Sequence, residues 1–261
     1  MTTCRDDKMK VALITEYDGT DFVGFQSQNN GRAVCDVLTA ALEEIYQTKI
    51  HVEGCSRTDS GVHARGHVSS LDVPFFIPED KLPIAINAHL PSDLSVRKAL
   101  YVEDSFSARF NTLGKRYIYR LYSSPLRSPL KDRYAYHTTY KLDVEKMKKA
   151  AELFRGEHDF EAFCAAGGSQ TTTVRTIFSV NVFEKDNDIE IEVQGNAFLY
   201  NMVRIIAGTL MEVGYGKIEP EMIPQIIKSK DRTKAGRTLP AKGLTLEEVY
   251  YDWEAQSLRN V

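Results

Sequence analysis

The alternation of apolar and polar positions divides the chain into short strands and helices. Val11, Leu13 and Tyr17 repeat at period two with Thr15 between them, which predicts a strand over Val11–Tyr17. Asp18-Gly19-Thr20 turns the chain, and the Gly/Gln/Asn-rich stretch 22–31 predicts a loop. Val34, Leu38, Ala41, Leu42 and Ile45 recur at helical spacing, so a helix is expected over 34–46. A short strand at 50–53 follows. The stretch 56–66 has neither period and two glycines, and predicts a loop. A strand over 68–73 ends before Pro74 and Pro78. A short helix over 83–90 and a strand over 94–102 come next.

A second alternating run covers 115–122. Tyr117, Tyr119 and Leu121 share one face, and Arg116, Ile118, Arg120 and Tyr122 the other. The stretch 123–133 has two prolines and no period. Asp143 is placed to cap a helix to about Phe154, with Val144, Met147, Ala151 and Phe154 inward and Gly156 as the stop. Small polar residues predict a loop over 163–173. Strands at 177–183 and 189–193 flank the turn Lys185–Asp188. Leu199, Met202, Val203, Ile206, Leu210 and Val213 predict a helix over 199–213, and Pro220 starts a short one to about Lys228. The stretch 235–244 reads as loop and 246–253 as the last strand. This order implies an α+β fold: a mixed, mostly antiparallel sheet flanked by helices, in two pseudo-symmetric α/β halves, 1–107 and 108–261.

With 43% apolar and 26% charged residues among 261, the chain has the make-up of a globular protein with a sizeable core, not of a disordered or fibrous one. The formal net charge of -3 argues weakly against a polyanion as partner. The distribution of charge matters more, and 109–133 sets seven Lys and Arg residues against the single Asp132. The cysteines, at 4, 35, 55 and 164, show no CxxC spacing and no disulfide framework, which favours a reducing, cytoplasmic compartment. The polar start MTTCRDDKMK leads into a strand without a signal peptide, and no apolar run is long enough to span a bilayer.

Several site chemistries fall away. There is no phosphate loop and no dinucleotide fingerprint. Cys55, His63 and His67 are metal-ligand types, but Gly66 breaks any helix joining the histidines and a fourth ligand is missing. Ser56, Ser60 and His63 match no nucleophile elbow. His51, His89, His137 and His158 read as structural or surface residues. The run Arg57-Thr58-Asp59-Ser60-Gly61 supports two readings, a plain turn salt bridge or a partly buried carboxylate kept ionised by an arginine. Tyr117 and Tyr119 support two as well: sheet packing, or, interleaved with Arg116 and Arg120, a surface for RNA phosphates and bases.

Motifs in order along the chain carry a resemblance. They are Tyr17-Asp18-Gly19-Thr20 with Phe22 to Gln26, then Ser56-Arg57-Thr58-Asp59-Ser60-Gly61-Val62-His63-Ala64, then Phe106-Ser107-Ala108-Arg109-Phe110. Lys115-Arg116-Tyr117-Ile118-Tyr119, His158-Asp159-Phe160 and Arg175-Thr176-Ile177 follow, and then Gly195-Asn196-Ala197-Phe198-Leu199-Tyr200-Asn201-Met202-Val203-Arg204 and Gly243-Leu244. From Val11 to its end the chain resembles the TruA family of tRNA pseudouridine synthases. The resemblance implies that Asp59 is the catalytic aspartate, Tyr117 the ring that stacks on the target uracil, and Arg204 the cation paired with the carboxylate. Arg57 would assist base flipping and fill the vacated space, and Leu199 would form an apolar wall. Arg109, Arg116, Arg175 and His63 are the further substrate-binding residues expected, with Lys228, Lys230, Arg232 and Lys234 as other candidates for the tRNA surface. The resemblance also implies a cleft between the halves and a homodimer whose two subunits contact one tRNA. Modification would fall at tRNA positions 38, 39 and 40, with no cofactor and no metal. The basic segment Ser229–Pro240 departs from what is expected of many members. Rival readings are a synthase with other RNA target positions, a non-catalytic RNA-binding module of the same fold, and a small-molecule enzyme built on the Arg57/Asp59 loop.

Overall fold

The structure is a computed structural model, and it describes residues 8–168 and 171–256. The chain forms two compact units, one of residues 1–113 with 248–261 and one of residues 114–247. The expected boundary at 107/108 is six residues early and leaves the C-terminal residues in the second half. Ser107 and Ala108 are tied by side-chain hydrogen bonds to Glu53 and Ser70, and Phe106 packs on Tyr251 and Trp253. These ties hold both the turn at 106–113 and the segment of Tyr251 and Trp253 in the first unit.

In the first unit β1 (Met9–Tyr17) lies between β3 (His63–Val73) and β4 (Leu94–Val102), antiparallel to both, and β2 (Glu53–Gly54) pairs with β3. Val11, Leu13, Thr15 and Tyr17 are all buried, as the period-two pattern predicts. Helix α1 (Val34–Tyr46) buries Val34, Leu38, Ala41, Leu42 and Tyr46. Fully burying side chains of the size of Leu38 and Leu42 contributes about 1.5–3 kcal/mol each. The helix stops where Gln47 adopts a left-handed φ of 52° and its amide bonds to the Glu43 carbonyl. Helix α2 (Leu82–Asn87) is fixed to β4 by the Asn87 amide, which donates to the Val96 carbonyl and accepts from the Val96 N–H.

Strand β3 begins at His63, five residues before the predicted start. Its register with β1 runs from Met9↔Val73 to Thr15↔His67 and, past a bulge, to Tyr17↔Ala64. A ladder partner distant in sequence thus makes strand of a His-Ala-Arg-Gly-His run with no strand period of its own. The strand expected at 50–53 shrinks to Glu53–Gly54.

The second unit is built on β5 (Gly114–Ser123), β9 (Asp188–Gly195), β8 (Val174–Lys185) and β7 (Gly156–Asp159), antiparallel neighbours in that order. A short β6 (Tyr136–Thr138) pairs with β5 in parallel. Helix α3 (Val144–Glu152) packs on β8 and on α4 (Met202–Gly214). Asp143 caps α3 by accepting from the Lys146 amide at 3.0 Å. Pro220–Met222 forms one helical turn ahead of α5 (Ile223–Ser229). Strand β10 (Leu244–Tyr250) gives its first four residues to this unit and the rest to the first, and α6 (Trp253–Gln256) ends the described chain. Of the loop expected over 163–173, Ser169 and Gln170 lie outside the described residues, as does Cys4.

Helix α4 starts at Met202, three residues later than predicted. Asn201 sits at a left-handed φ of 61°, so Leu199–Asn201 is a turn rather than the first turn of the helix. Among the described residues no helix is long and apolar enough to cross a membrane.

Candidate active site

Asp59 lies half-buried in the loop that leads into β3, with Arg57 exposed two residues before it. The segment after β1 cradles this loop. Thr58, buried, shares a 2.8 Å hydrogen bond between its hydroxyl and that of Tyr17, and its carbonyl accepts from the Phe25 amide at 3.4 Å. Ser60 Oγ and the Gly61 amide both donate to the Phe22 carbonyl, at 3.3 Å each. The Asp59 carbonyl accepts from the Val62 amide at 3.1 Å, which closes the turn. A side chain at Gly24 would stand 2.4 Å from the Thr58 carbonyl oxygen, and its φ of +115° also selects glycine. The early motif Tyr17 to Gln26 is therefore a floor for the Asp59 loop. Gly24, Tyr17 and Thr58 are support that residue chemistry alone does not signal, although all three stand in the quoted motifs.

The two nearby histidines belong to the same floor. His63 is 4% exposed, and its Nδ1 accepts from the Gly19 amide at 3.0 Å. His67 is stacked on Phe25 with ring centres 3.9 Å apart, and its Nε2 is 3.0 Å from the Ser56 carbonyl oxygen. His63 and His67 are thus engaged by the backbone and rings of this floor, and His63 Nδ1 also stands 3.2 Å from Asp18 Oδ1.

An ion pair ties down the other end of the floor. Arg32 donates to both carboxylate oxygens of Asp93, at 2.6 and 2.9 Å, and lies 4.0 Å over the Phe22 ring. The Asp93 carbonyl in turn accepts from the Asp18 amide at 3.0 Å. The Arg32 hydrogen bonds hold the Asp93 carboxyl below its usual range, against the opposing effect of burial. A depressed folded-state pKa adds stability that is present above the unfolded value of about 3.9 and is lost as pH falls through the folded one. Asp93→Asn is expected to cost about 1 kcal/mol near neutrality, the scale of a charge-assisted pair at a partly exposed site. Urea midpoints of the two proteins should converge in acid, and a gap of constant size down to pH 3 would refute the assignment.

In the second unit Tyr117 projects from β5 on the same face as Tyr119 and Leu121, opposite Val193 of β9. It is 7% exposed and meets Phe198 edge-on, with ring centres 5.2 Å apart. Phe198 and the buried Leu199 belong to the loop between β9 and α4. Asn196 pins that loop: its Oδ1 accepts from the amides of Thr176 and Ala197, and its own amide donates to the Thr176 carbonyl.

Arg204, on the first turn of α4, is held from two sides. Its Nε donates to the Leu239 carbonyl at 2.7 Å and its Nη1 to Asn201 Oδ1 at 2.5 Å, while its own carbonyl accepts from the Leu239 amide at 3.3 Å. The 235–240 strap lies close on α4, with the Gly236 amide on Thr209 Oγ1 at 2.8 Å. Arg232 stitches the strap, donating to the carbonyls of Ala235 and Gly236 and to Thr238 Oγ1. Its burial lowers its pKa. The Pro240 carbonyl accepts from the Tyr119 hydroxyl at 2.8 Å. Arg232 is therefore a clamp within the fold, not the open tRNA contact that its place in a basic run suggests.

Other cations marked in the sequence are also engaged. Arg116 is 3.3 Å from Glu192. Burial would raise the Glu192 pKa, but hydrogen bonds from Gln194, Asn181 and Arg116 outweigh it and keep the carboxylate low. Arg120 reaches Glu190 and Glu247 at 2.8 Å each, and Lys115 is buried. Lys131 pairs with Asp188 and Lys230 with Asp159. Arg175, half-buried with its pKa lowered by burial, donates to Thr172 Oγ1 and to the Val174 carbonyl. Lys228 and Lys234 are exposed, as is Arg109. The seven cations counted over 109–133 thus overstate the positive surface, because acids on β9 and β10 neutralise part of it.

The sequence profile of a family described as tRNA pseudouridine synthase matches residues 13–111 and 150–252. The chain belongs to this family. It is 47% identical over 241 residues to tRNA pseudouridine synthase A of Acetivibrio thermocellus, an alignment covering 92% of this chain and 99% of the relative. It is 48% identical over 243 residues to the protein of the same name from Ruminiclostridium cellulolyticum, covering 93% and 99%. With that of Bacillus subtilis the identity is 44% over 246 residues, covering 94% and 100%. The matched ranges contain the Asp59 loop with its floor, the turn at 106–111, and the whole of α4 with its strap.

Proposed function

We propose that this tRNA pseudouridine synthase converts the uridines at positions 38, 39 and 40 of the tRNA anticodon stem-loop, with Asp59 as the catalytic carboxylate. The observation that carries the reading is the build of the Asp59 loop. Four contacts with the Tyr17–Phe25 segment hold its backbone and its neighbours' side chains, and the Val62 amide closes the turn on the Asp59 carbonyl. Such a loop presents a carboxylate in a fixed place, which is what a group acting on one ribose carbon needs.

The target nucleotide must leave the stack before a side chain reaches it. Arg57, exposed beside Asp59, is suited to fill the vacated space. The N1–C1′ bond then breaks, the uracil turns and C5 bonds to C1′. C5 loses a proton and N1 gains one, so product and substrate have the same atoms and no co-substrate is consumed. Two routes use the same carboxylate. Asp59 attacks C1′ as the uracil leaves and is then displaced by C5, or it removes the C2′ proton to give a glycal-type ribose and returns that proton to C2′ as C5 bonds to C1′. In both, Arg204 is the cation assigned to pair with the carboxylate, Tyr117 offers a ring face to the turning uracil, and Leu199 closes the apolar side. Arg109, Arg116, Arg175 and His63 complete the proposed substrate-binding set, His63 by supporting the Asp18-Gly19 turn.

The proposal extends to a homodimer in which one tRNA touches both subunits, and to a cytoplasmic location. Among the described residues Cys35, Cys55 and Cys164 form no disulfide, which fits a reducing compartment. The test is mass-shift labelling of pseudouridine on unmodified tRNA, read position by position. Product is expected at 38, 39 and 40, and product confined to the T arm or to rRNA would refute the target. Light scattering should return a dimer mass, and a monomer at working concentrations would remove the two-subunit part.

A further inference from the structure

Residues 106–111 form a turn in the first unit whose backbone is tied down at nearly every amide. The Ser107 amide donates to Asn111 Oδ1 at 2.7 Å, and the Asn111 amide to the Ser107 carbonyl at 3.1 Å. Ser107 Oγ accepts from the amides of Arg109 and Phe110, at 3.2 and 3.1 Å, and donates to the Glu53 carboxylate at 2.6 Å. Between them Ala108 is fully buried, its amide on Ser70 Oγ at 3.1 Å and its carbonyl taken by the Tyr251 hydroxyl.

All this order surrounds two side chains left in solvent. Phe110 is 75% exposed, and the exposed Arg109 sets its guanidinium carbon 5.2 Å from the centre of the Phe110 ring. A large ring held in water by a rigid turn does nothing for the core. It is, however, a stacking platform whose backbone ordering cost is already met in the fold.

The anchors of this turn also line a groove. Glu53 and Ser70 share it with Lys8, Lys10, Lys49 and His51. Lys10 stands 3.1 Å from Asp72, and Lys49, 94% exposed, is 3.1 Å from Glu43. Lys49 keeps its charge at the surface, whereas Lys10, 20% exposed, is matched by the more exposed Asp72 of the same groove and would have to exchange it for a phosphate. Basic side chains beside an open aromatic ring match unpaired RNA, in which phosphates meet Lys or Arg and bases stack on rings.

We propose that this face binds an unpaired stretch of the tRNA. One base stacks on Phe110, Arg109 takes a phosphate beside it, and Lys10 and Lys49 carry the backbone along the groove. The inference rests on the reading of the chain as a tRNA-modifying enzyme, and it adds a contact surface outside the Asp59 loop. Loss of one base–ring stack corresponds to about tenfold in affinity.

The experiment compares full-length wild type, Phe110→Ala, Phe110→Trp and the double variant Lys10→Ala/Lys49→Ala on unmodified tRNA. Phe110→Ala should raise Kd and KM about tenfold at an unchanged unfolding midpoint, and Phe110→Trp should restore binding. The lysine double variant should flatten the slope of log Kd against log salt by roughly 1.4–1.8. Unchanged Kd and KM in Phe110→Ala, a tryptophan that fails to rescue, or an unchanged salt slope would each overturn the proposal. So would a fall from dimer to monomer mass in Phe110→Ala, because the ring would then be covered by a second copy of the chain. A wild type that forms no pseudouridine would instead sink the underlying reading, so the two failures are told apart within one set of assays.

Discussion

Asp59→Asn is expected to form no pseudouridine above background, a fall in turnover of at least about 10⁴-fold. The amide keeps the size of the carboxylate and removes its charge, so it neither attacks C1′ nor takes a ribose proton at a useful rate. The loop should survive the change. Its supports run through the Thr58 hydroxyl, the Ser60 hydroxyl, and the backbone of Phe22, Phe25, Asp59, Gly61 and Val62. Affinity for tRNA should therefore stay within a few-fold, and stability in urea should change by about 1 kcal/mol, the ordinary scale of a single substitution. Loss of turnover together with loss of folding would leave the role of the carboxylate unsupported. Turnover above one-tenth of wild type in a folded variant would end the assignment of Asp59 as the reacting group.

The parts of the fold that could be read from the sequence are those whose order is local. Helix α1 spans the predicted residues, and so does β4. In α1 the apolar stripe, and in β4 the flanking turn residues, mark the ends within the element itself. Elements that depend on distant partners were missed or misplaced. Residues 63–67 are strand because Thr15 and Tyr17 pair with them. The short β6 exists only beside β5. The start of α4 is set by the left-handed Asn201, which helical periodicity does not reveal. The same holds for charge. Arg116 and Arg120 count as a basic patch in one dimension, yet Glu190 and Glu192 on β9 and Glu247 on β10 partner them in space.

The candidate site divides in the same way. Asp59, Arg57, Tyr117 and Arg204 could be named because whole motifs resemble a family, whereas residue chemistry alone left Asp59 level with a turn salt bridge. What holds those residues had no separate signal. The Leu239 carbonyl that receives Arg204, and the Gly24 that lets Thr58 come close, are backbone facts. A sequence shows them only as an unexplained glycine or an unremarkable loop.

The last expected result tests that hidden support. Gly208 lies buried inside α4, where alanine would ordinarily add about 1 kcal/mol of helix stability. Here a Cβ would stand 1.9 Å from the carbonyl oxygen of Arg237. That atom is backbone and has no rotamer to yield, so the strap must lift. Lifting it strains the Gly236–Thr209 hydrogen bond and shifts Leu239, which holds the Arg204 Nε, and Pro240, which holds the Tyr119 hydroxyl. Overpacking costs about 1–3 kcal/mol, and a buried hydrogen bond left open adds about 1–3 kcal/mol. The clash therefore outweighs the helical gain, and Gly208→Ala should destabilise the protein by about 3 kcal/mol in urea. At a temperature where the variant is fully folded, kcat should fall about 100-fold, the scale set by misplacing a reacting group by about 1 Å. KM for tRNA should change much less, because the strap holds Arg204 rather than the exposed tRNA contacts. A variant stabilised by the helical increment would show that the strap moves freely, and Arg204 would then need no clamp. A variant that is destabilised yet turns over normally when folded would separate the strap from catalysis and leave it a purely structural tie.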